Sequence, residues 1–250
     1  MSSQTRRQKI LKLLDEIEEA DIRLLTEKLA VSEITVRRDL KSLSDDGMLY
    51  RTHGGATKVN PHIDVTAYHH KAAVNIKAKD EICRRAAAEI VDGDIIFMDC
   101  GSTVFRLCQF IKQKKIKVIT NSIPVVNELR DSKIAVNLIG GEVDNSRQAV
   151  HGKIAEEHIA RYKANKAFLG IDGISVNGLF ANSELEAANT LAVASQSSYT
   201  YILCNKDKIG KELYFKFAEV SLINCIITNA DKTALNGFEQ KGINVLTTKT

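Results

Sequence analysis

Five cysteines are spread through the 250 residues without one C-x-x-C pair, so the chain offers neither a disulfide framework nor a thiolate zinc site. Cys83, Cys100, Cys108, Cys204 and Cys225 read instead as core thiols. No run approaches the ~18 consecutive apolar residues of a membrane span. The opening MSSQTRRQKILKLLDE also lacks an apolar stretch ahead of a small-residue cleavage site. The expectation is a cytoplasmic protein with no membrane partner. Both G-x-G-x-x-G and G-x-x-x-x-G-K-[ST] are missing, and with them the common nucleotide-phosphate fingerprints. The histidines, at 53, 62, 69, 70, 151 and 158, stand at no ligand spacing such as H-E-x-x-H, so neither a metal nor a cofactor is expected.

Charge is also in short supply as an argument. The net charge of +4 permits a nucleic-acid partner without demanding one. Acids and bases are equal in number over residues 1–57, but the cations gather at 6–12 and 37–41 while acids gather at 15–21. A one-sided field would then exist only in the fold. With 44% hydrophobic and 26% charged residues, the composition is that of an ordinary globular chain.

Ile10, Leu13, Leu14 and Ile17 recur at three- and four-residue steps, the spacing of one helix face. Leu24, Leu25, Lys28 and Leu29 read as a short second helix ending near Ala30-Val31. Ser32 is an N-cap candidate for a third, whose buried stripe is Val36, Leu40 and Leu43. At 100° per residue, Ile34, Thr35, Arg38, Lys41 and Ser42 then fall on or near the outward side. Three helices in this rhythm predict a helix-turn-helix, whose third helix presents Ser32, Thr35, Arg37, Arg38 and Lys41 to DNA. An arginine fork matches guanine O6 and N7, whereas Ser and Thr more often fix phosphates. Residues 48–56 read as a strand, a glycine turn and a return. In that wing Arg51 and His53 reach backbone or minor groove, and Gly54-Gly55 supplies positive-φ freedom.

The continuous string VSEITVRRDLKSLSDDGMLYRTHGGA resembles the signature of the DeoR family of bacterial regulators, a helix-turn-helix running into a G-x-L-x-R-x-HGGA wing.

Residues 58–75, which contain Pro61 and lack periodicity, read as a linker between a DNA-binding domain at 1–57 and a larger domain at 76–250. In the larger part, helical stretches at 82–91 and 104–111 alternate with strands near 95–98, 118–119, 135–139, 167–171, 201–204 and 225–228. The pattern predicts a mostly parallel, doubly wound α/β sheet with ligands at the carboxyl ends of its strands. Polar turns recur there. Gly101, Ser102 and Thr103 follow one strand and suit a phosphate through close backbone approach and a helix N-terminus. Thr120 and Asn121 follow the next strand, and Gly140 and Gly141 a third. Asp99 and Asp172, the latter followed by Gly173, are placed to accept hydrogen bonds from sugar hydroxyls, and Lys208 to neutralise a phosphate.

DCGSTV, VITNSIPVVNEL, LIGGEV, KAFLGIDGIS and the stretch around NKDKIG resemble, in order, the sensor domain of the same family, which is similar to ribose-5-phosphate isomerase. The resemblance implies a response to phosphorylated sugars or related intermediates. It implicates the residues just named and adds Glu184. The chain departs from it at Thr190-Leu191, where relatives often carry a basic pair, and at Asn205-Lys206-Asp207-Lys208, in place of Asp-Ser-Ser-Lys. The expected function is a sugar-phosphate-responsive repressor that is not an enzyme and binds operator DNA as a dimer or tetramer. A phosphosugar isomerase with a DNA-binding appendage, and a scaffold that binds no metabolite, are the alternatives.

Overall fold

The computed structural model describes residues 3–17, 19–45, 49–51, 54–58, 71–72 and 74–248. The chain divides into two compact units, residues 1–76 and 77–250. Most of the expected linker lies outside the described residues.

In the smaller unit, helix α1 (Ser3–Ile17) buries Ile10 and Leu14, while Ile17 is 43% exposed and outside the stripe expected of it. The helix ends at Ile17, and Ala20 of strand β1 (Glu19–Asp21) takes the buried place instead. Asp21 caps helix α2 (Ile22–Leu29) by accepting from the Leu24 amide at 2.7 Å. Ala30, in the left-handed region at φ 51°, stops α2 and turns the chain into helix α3 (Glu33–Asp45). Val36, Leu40 and Leu43 are buried together against Leu25 and Leu49, as the stripe requires.

Strands β2 (Leu49–Arg51) and β3 (Gly55–Lys58) pair antiparallel, with β1 on the far side of β3. That third strand was not legible in Glu-Ala-Asp, too short to alternate. It also corrects the glycine argument, since neither Gly54 nor Gly55 has a positive φ. Gly55 is needed because a side chain there would run into β1, with a Cβ only 2.7 Å from the Asp21 Cα.

The larger unit is built on a seven-stranded sheet in the order β15-β14-β12-β9-β4-β5-β6. Its strands are β4 (Ile95–Met98), β5 (Lys117–Thr120), β6 (Ala135–Leu138), β9 (Ala164–Leu169), β12 (Ser197–Cys204), β14 (Cys225–Thr228) and β15 (Asn244–Thr247). Every pairing is parallel. Successive residues of β4 enter different cores: Ile96 and Met98 join Ile82, Val118 and Phe168 on one face, and Phe97 joins Ile119, Leu169 and Ile202 on the other. Both faces are therefore covered, as near-continuous apolar strands require. From β4 the strand order runs one way to β5 and β6 and the other way through β9, which puts the topological switch between β4 and β9.

The helix expected at 82–91 runs instead over α4 (Ile76–Ala87), and the one expected at 104–111 is two single turns, α5 (Ser102–Phe105) and α6 (Cys108–Ile111). Beyond these come α7 (Ile123–Leu129), α8 (Lys153–Ile159), α9 (Glu184–Ser195) and α10 (Asn236–Gln240). Two small antiparallel sheets flank the strand ends: β7 (Glu142–Asp144) with β8 (Ala149–His151), and β10 (Gly173–Ser175) with β11 (Gly178–Ala181) and β13 (Phe215–Ala218). Four cysteines are buried and Cys100 is partly exposed. No helix among the described residues is long and apolar enough to cross a membrane.

Candidate functional sites

Helix α3 begins where Ser32 Oγ lies 2.9 Å from Thr35 Oγ1 and 3.4 Å from the Thr35 amide, an N-terminal cap that engages both expected hydroxyls. Arg37, Arg38 and Lys41 are exposed, and Arg37 folds back on Glu33 one turn earlier at 2.8 and 2.6 Å. Ile34 stands 73% exposed beside them, an apolar side chain on a face otherwise polar and charged. Asp39 points the other way. It is 1% exposed, hydrogen-bonded by Arg6 through Nε and, at 3.2 Å, through Nη2, with Ser3 Oγ at 3.4 Å and Arg7 Nε at 3.5 Å. The cations at 6 and 7 are thus spent largely on Asp39, and the expected basic cluster at 6–12 is weaker outward than its sequence implies. Gly54 contributes its carbonyl to the Ile22 amide at 2.8 Å. His53 and the Arg51 side chain lie outside the described residues.

In the larger unit the expected polar turns follow β4, β5, β6 and β9. Asp99 accepts from the Gly101 amide at 2.7 Å and from the Gly170 amide at 2.6 Å, tying the end of β4 to the end of β9. Burial raises its pKa to about 6 against the lowering effect of those two bonds, and Asp172 raises it further. The Gly101 N–H is therefore engaged within the protein, contrary to its expected role as an anion donor. A Cβ on Gly101 would lie 2.9 Å from Asp99 Oδ1 and 3.1 Å from the Gly170 Cα, so the glycine serves close approach. The helix after it, α5, is a single turn, too short to carry the expected dipole. Ser102 accepts from Lys79 Nζ at 3.1 Å, and Thr103 is buried, its carbonyl accepting from Cys83.

Thr120 Oγ1 takes the Ser122 amide at 3.0 Å, and Asn121 donates to the Val150 carbonyl at 3.0 Å. Gly140 donates to His158 Nδ1, and Gly141, at φ 150°, packs under the β7–β8 hairpin. Asp172 holds Asn182, and Gly173 makes room for the Lys211 carbonyl. Lys208 is partly buried and Glu184 exposed. Two residues further along α9, Glu186 is paired with Arg147 of the β7–β8 turn, and both charges act on Cys100 just after β4.

Sequence reasoning missed a buried cation that donates to Ser102. Lys79 is 4% exposed on α4, and its pKa falls to about 8, chiefly through burial, with Asp207 opposing and Lys208 and Arg106 assisting. Its neighbour Asp80 is held by Arg106 in a two-pronged pair at 2.7 Å. The signal was present: Lys79 shares the buried stripe with Ile82, Cys83 and Ala86, where a lysine is out of place. Asn205, buried at the end of β12, leaves Oδ1 without a partner.

The family model described as "DeoR C terminal sensor domain" matches residues 74–230, and "DeoR-like helix-turn-helix domain" matches residues 6–62. A Bacillus subtilis (strain 168) protein named uncharacterized HTH-type transcriptional regulator FruR is 29% identical over 236 residues, 92% of this chain and 94% of that protein. The lactose phosphotransferase system repressor of Staphylococcus epidermidis is 32% identical over 234 residues, 92% of this chain and 93% of that protein. Among solved structures, ribose 5-phosphate isomerase from Plasmodium falciparum has a TM-score of 0.38 and 20% identity over 52% of this chain and 51% of that one.

Proposed function

Since the chain belongs to the DeoR family of transcriptional regulators, we propose that it represses a carbohydrate-utilisation operon and leaves its operator when a phosphorylated sugar occupies the carboxyl end of the seven-stranded sheet. Lys79 carries the reading. This lysine, 4% exposed and donating to Ser102 at 3.1 Å, puts a desolvated positive charge beside the turn after β4, where a phosphate would sit. Ser102 and Thr103 supply hydroxyls, and Lys208 is the second cation. Asp99, Gly101 and Gly173 shape the site, while Thr120, Asn121, Gly140, Gly141, Asp172 and Glu184 belong to its surroundings.

Residues 1–57 bind DNA through Ser32, Thr35, Arg37, Arg38 and Lys41, with Arg51, His53 and Gly54 on the wing. Residues 76–250 sense the metabolite. The protein works in the cytoplasm as a homo-oligomer, because paired helix-turn-helix units read half-sites ~34 Å or a multiple apart. It acts as a regulator and not as an enzyme, in keeping with the regulators it resembles, and Asp99 is unsuited as a general base because both its oxygens accept from backbone amides.

Gel-shift titrations with the DNA flanking its own gene, with and without a panel of pentose and hexose phosphates, test the reading. Release by at least one of them is expected, and identical DNA affinity across the whole panel would overturn it.

A further inference from the structure

Helix α9 lacks the polar outer side of a surface helix, for it has no charged residue after Glu186. Ala187, Val193 and Ala194 are buried inward, while Leu185 and Leu191 are exposed and Ala188 and Ala192 half-buried on the outward side. At 100° per residue those four outward residues form, with Ser195, one strip along the helix. A helix that is apolar all round belongs in an interior, yet the outer strip of α9 is uncovered among the described residues.

The apolar surface continues past the helix. The Leu185 backbone hydrogen-bonds the His151 ring, three residues before Ile154, and α8, which carries Ile154, packs along α9. Tyr214 reaches the Asn182 carbonyl at 3.4 Å, two residues ahead of the helix. Ile154, Leu185, Leu191 and Tyr214 are between 37% and 77% exposed. Exposed apolar side chains scattered singly need no account, but four around one helix make a patch of the kind that marks an interface.

Charge identifies the partner. Glu184 is exposed at the start of α9. At the other end the Gln196 carbonyl takes the Ala164 amide at 3.0 Å, which sets exposed Lys163 beside the helix C-terminus. The strip is thus negative at one end, positive at the other and uncharged between. Such a surface is complementary to itself turned end for end.

We propose that α9 is the self-association surface of the larger unit, with two copies packing their α9 helices antiparallel about a two-fold axis near the middle of the strip. Ala188 of one copy meets Ala192 of the other, and side chains this small let the helix axes approach to ~8 Å. Leu185 and Leu191 close over the flanks, and each Glu184 faces Lys163 of the second copy. A two-fold contact uses the same patch on both chains, so one self-complementary face suffices. The inference rests on the reading of the chain as a homo-oligomer and supplies its surface. It also ties pairing to the candidate effector site, since Glu186 of α9 holds Arg147 of the β7–β8 turn.

Sedimentation of the full chain tests this in the wild type, Ala188→Glu, Leu191→Glu, Glu184→Lys, Lys163→Glu and the exchange that combines the last two. Ala188→Glu and Leu191→Glu are expected to show half the wild-type mass at concentrations where the wild type is fully assembled, with the helical circular-dichroism signal retained. Glu184→Lys and Lys163→Glu each weaken association about threefold at low salt. The exchange recovers it, which a loss of fold could not do. Wild-type mass in Ala188→Glu and Leu191→Glu, or an exchange no tighter than either single change, would overturn the interface while leaving the homo-oligomer reading standing. A wild type that sediments as a single chain overturns that reading first, and the interface with it.

Discussion

Arg6 of α1 and Asp39 of α3 are joined by two hydrogen bonds from one guanidinium, and the carboxylate that receives them is 1% exposed. Within the run Arg37-Arg38-Asp39, each side chain has a different destination: Arg37 lies along the helix on Glu33, Arg38 faces outward and Asp39 faces inward. Removing the buried partner strands charges that the fold has already desolvated. Asp39→Ala is therefore expected to destabilise the chain at the upper end of the range for single substitutions, and more than Arg6→Ala, which leaves Ser3 and Arg7 near the carboxylate. Thermal unfolding of the two variants checks the order. Equal melting temperatures in both variants and wild type would show the clamp to be incidental.

Arg38→Ala is expected to weaken operator binding by ~1–3 kcal/mol and to change sequence preference if its fork reads a base edge. Competition binding against a set of single-base operator variants measures this. A loss spread evenly over all sequences would make Arg38 a phosphate clamp.

Ile34 has no polar partner to offer, yet it stands 73% exposed at the start of α3. Apolar side chains in this position meet the thymine methyl. Ile34→Ala should cost roughly 1 kcal/mol on the preferred operator, from lost burial. Replacing thymine by uracil in the operator should produce the same loss in the wild type and none in the variant.

Effector affinity should depend on pH as a bell. A phosphate monoester gains its second charge near pH ~6, and Lys79 loses its charge through about 8. The stability of the empty protein moves differently. Lys79 sheds its proton at about 8 in the folded chain against 10.5 when unfolded, so the folded chain holds fewer protons over that interval and stability rises as pH climbs through it. Lys79→Met is accordingly expected to melt higher than wild type below pH 8 while losing its response to sugar phosphates. Flat affinity up to pH 9.5 would remove Lys79 from the phosphate site.

Asp99→Asn replaces one acceptor with a donor that opposes a backbone N–H. A loss of ~1–3 kcal/mol is expected, read by urea denaturation. No loss would show that the tie between β4 and β9 is dispensable.

The helix-turn-helix was legible because its core is local. Val36, Leu40 and Leu43 repeat at helical spacing, and all three are buried. Six strands of the parallel sheet were legible as short apolar runs, with Cys225–Thr228 bounded correctly at both ends. Strand β1 and the small sheets escaped because three-residue strands carry no period, and β15 was not anticipated at all. Residue roles escaped for another reason. Asp99 and Gly101 were chosen for a ligand because they follow a strand, but their contacts reach Gly170, seventy-one residues from Asp99, and no local pattern announces that. Lys79 was readable in principle, since it interrupts an otherwise apolar stripe.

The bond from Asp99 to the Gly170 amide stitches the seam between β4 and β9 with the protein's own atoms, so the floor of the cup is finished before any metabolite arrives. An incoming molecule can rearrange only the brim: the hairpin that carries Arg147 and the turn that carries Lys208. The message that loosens the grip on DNA must then start at the mouth, by moving loops, and not by sliding strands past one another.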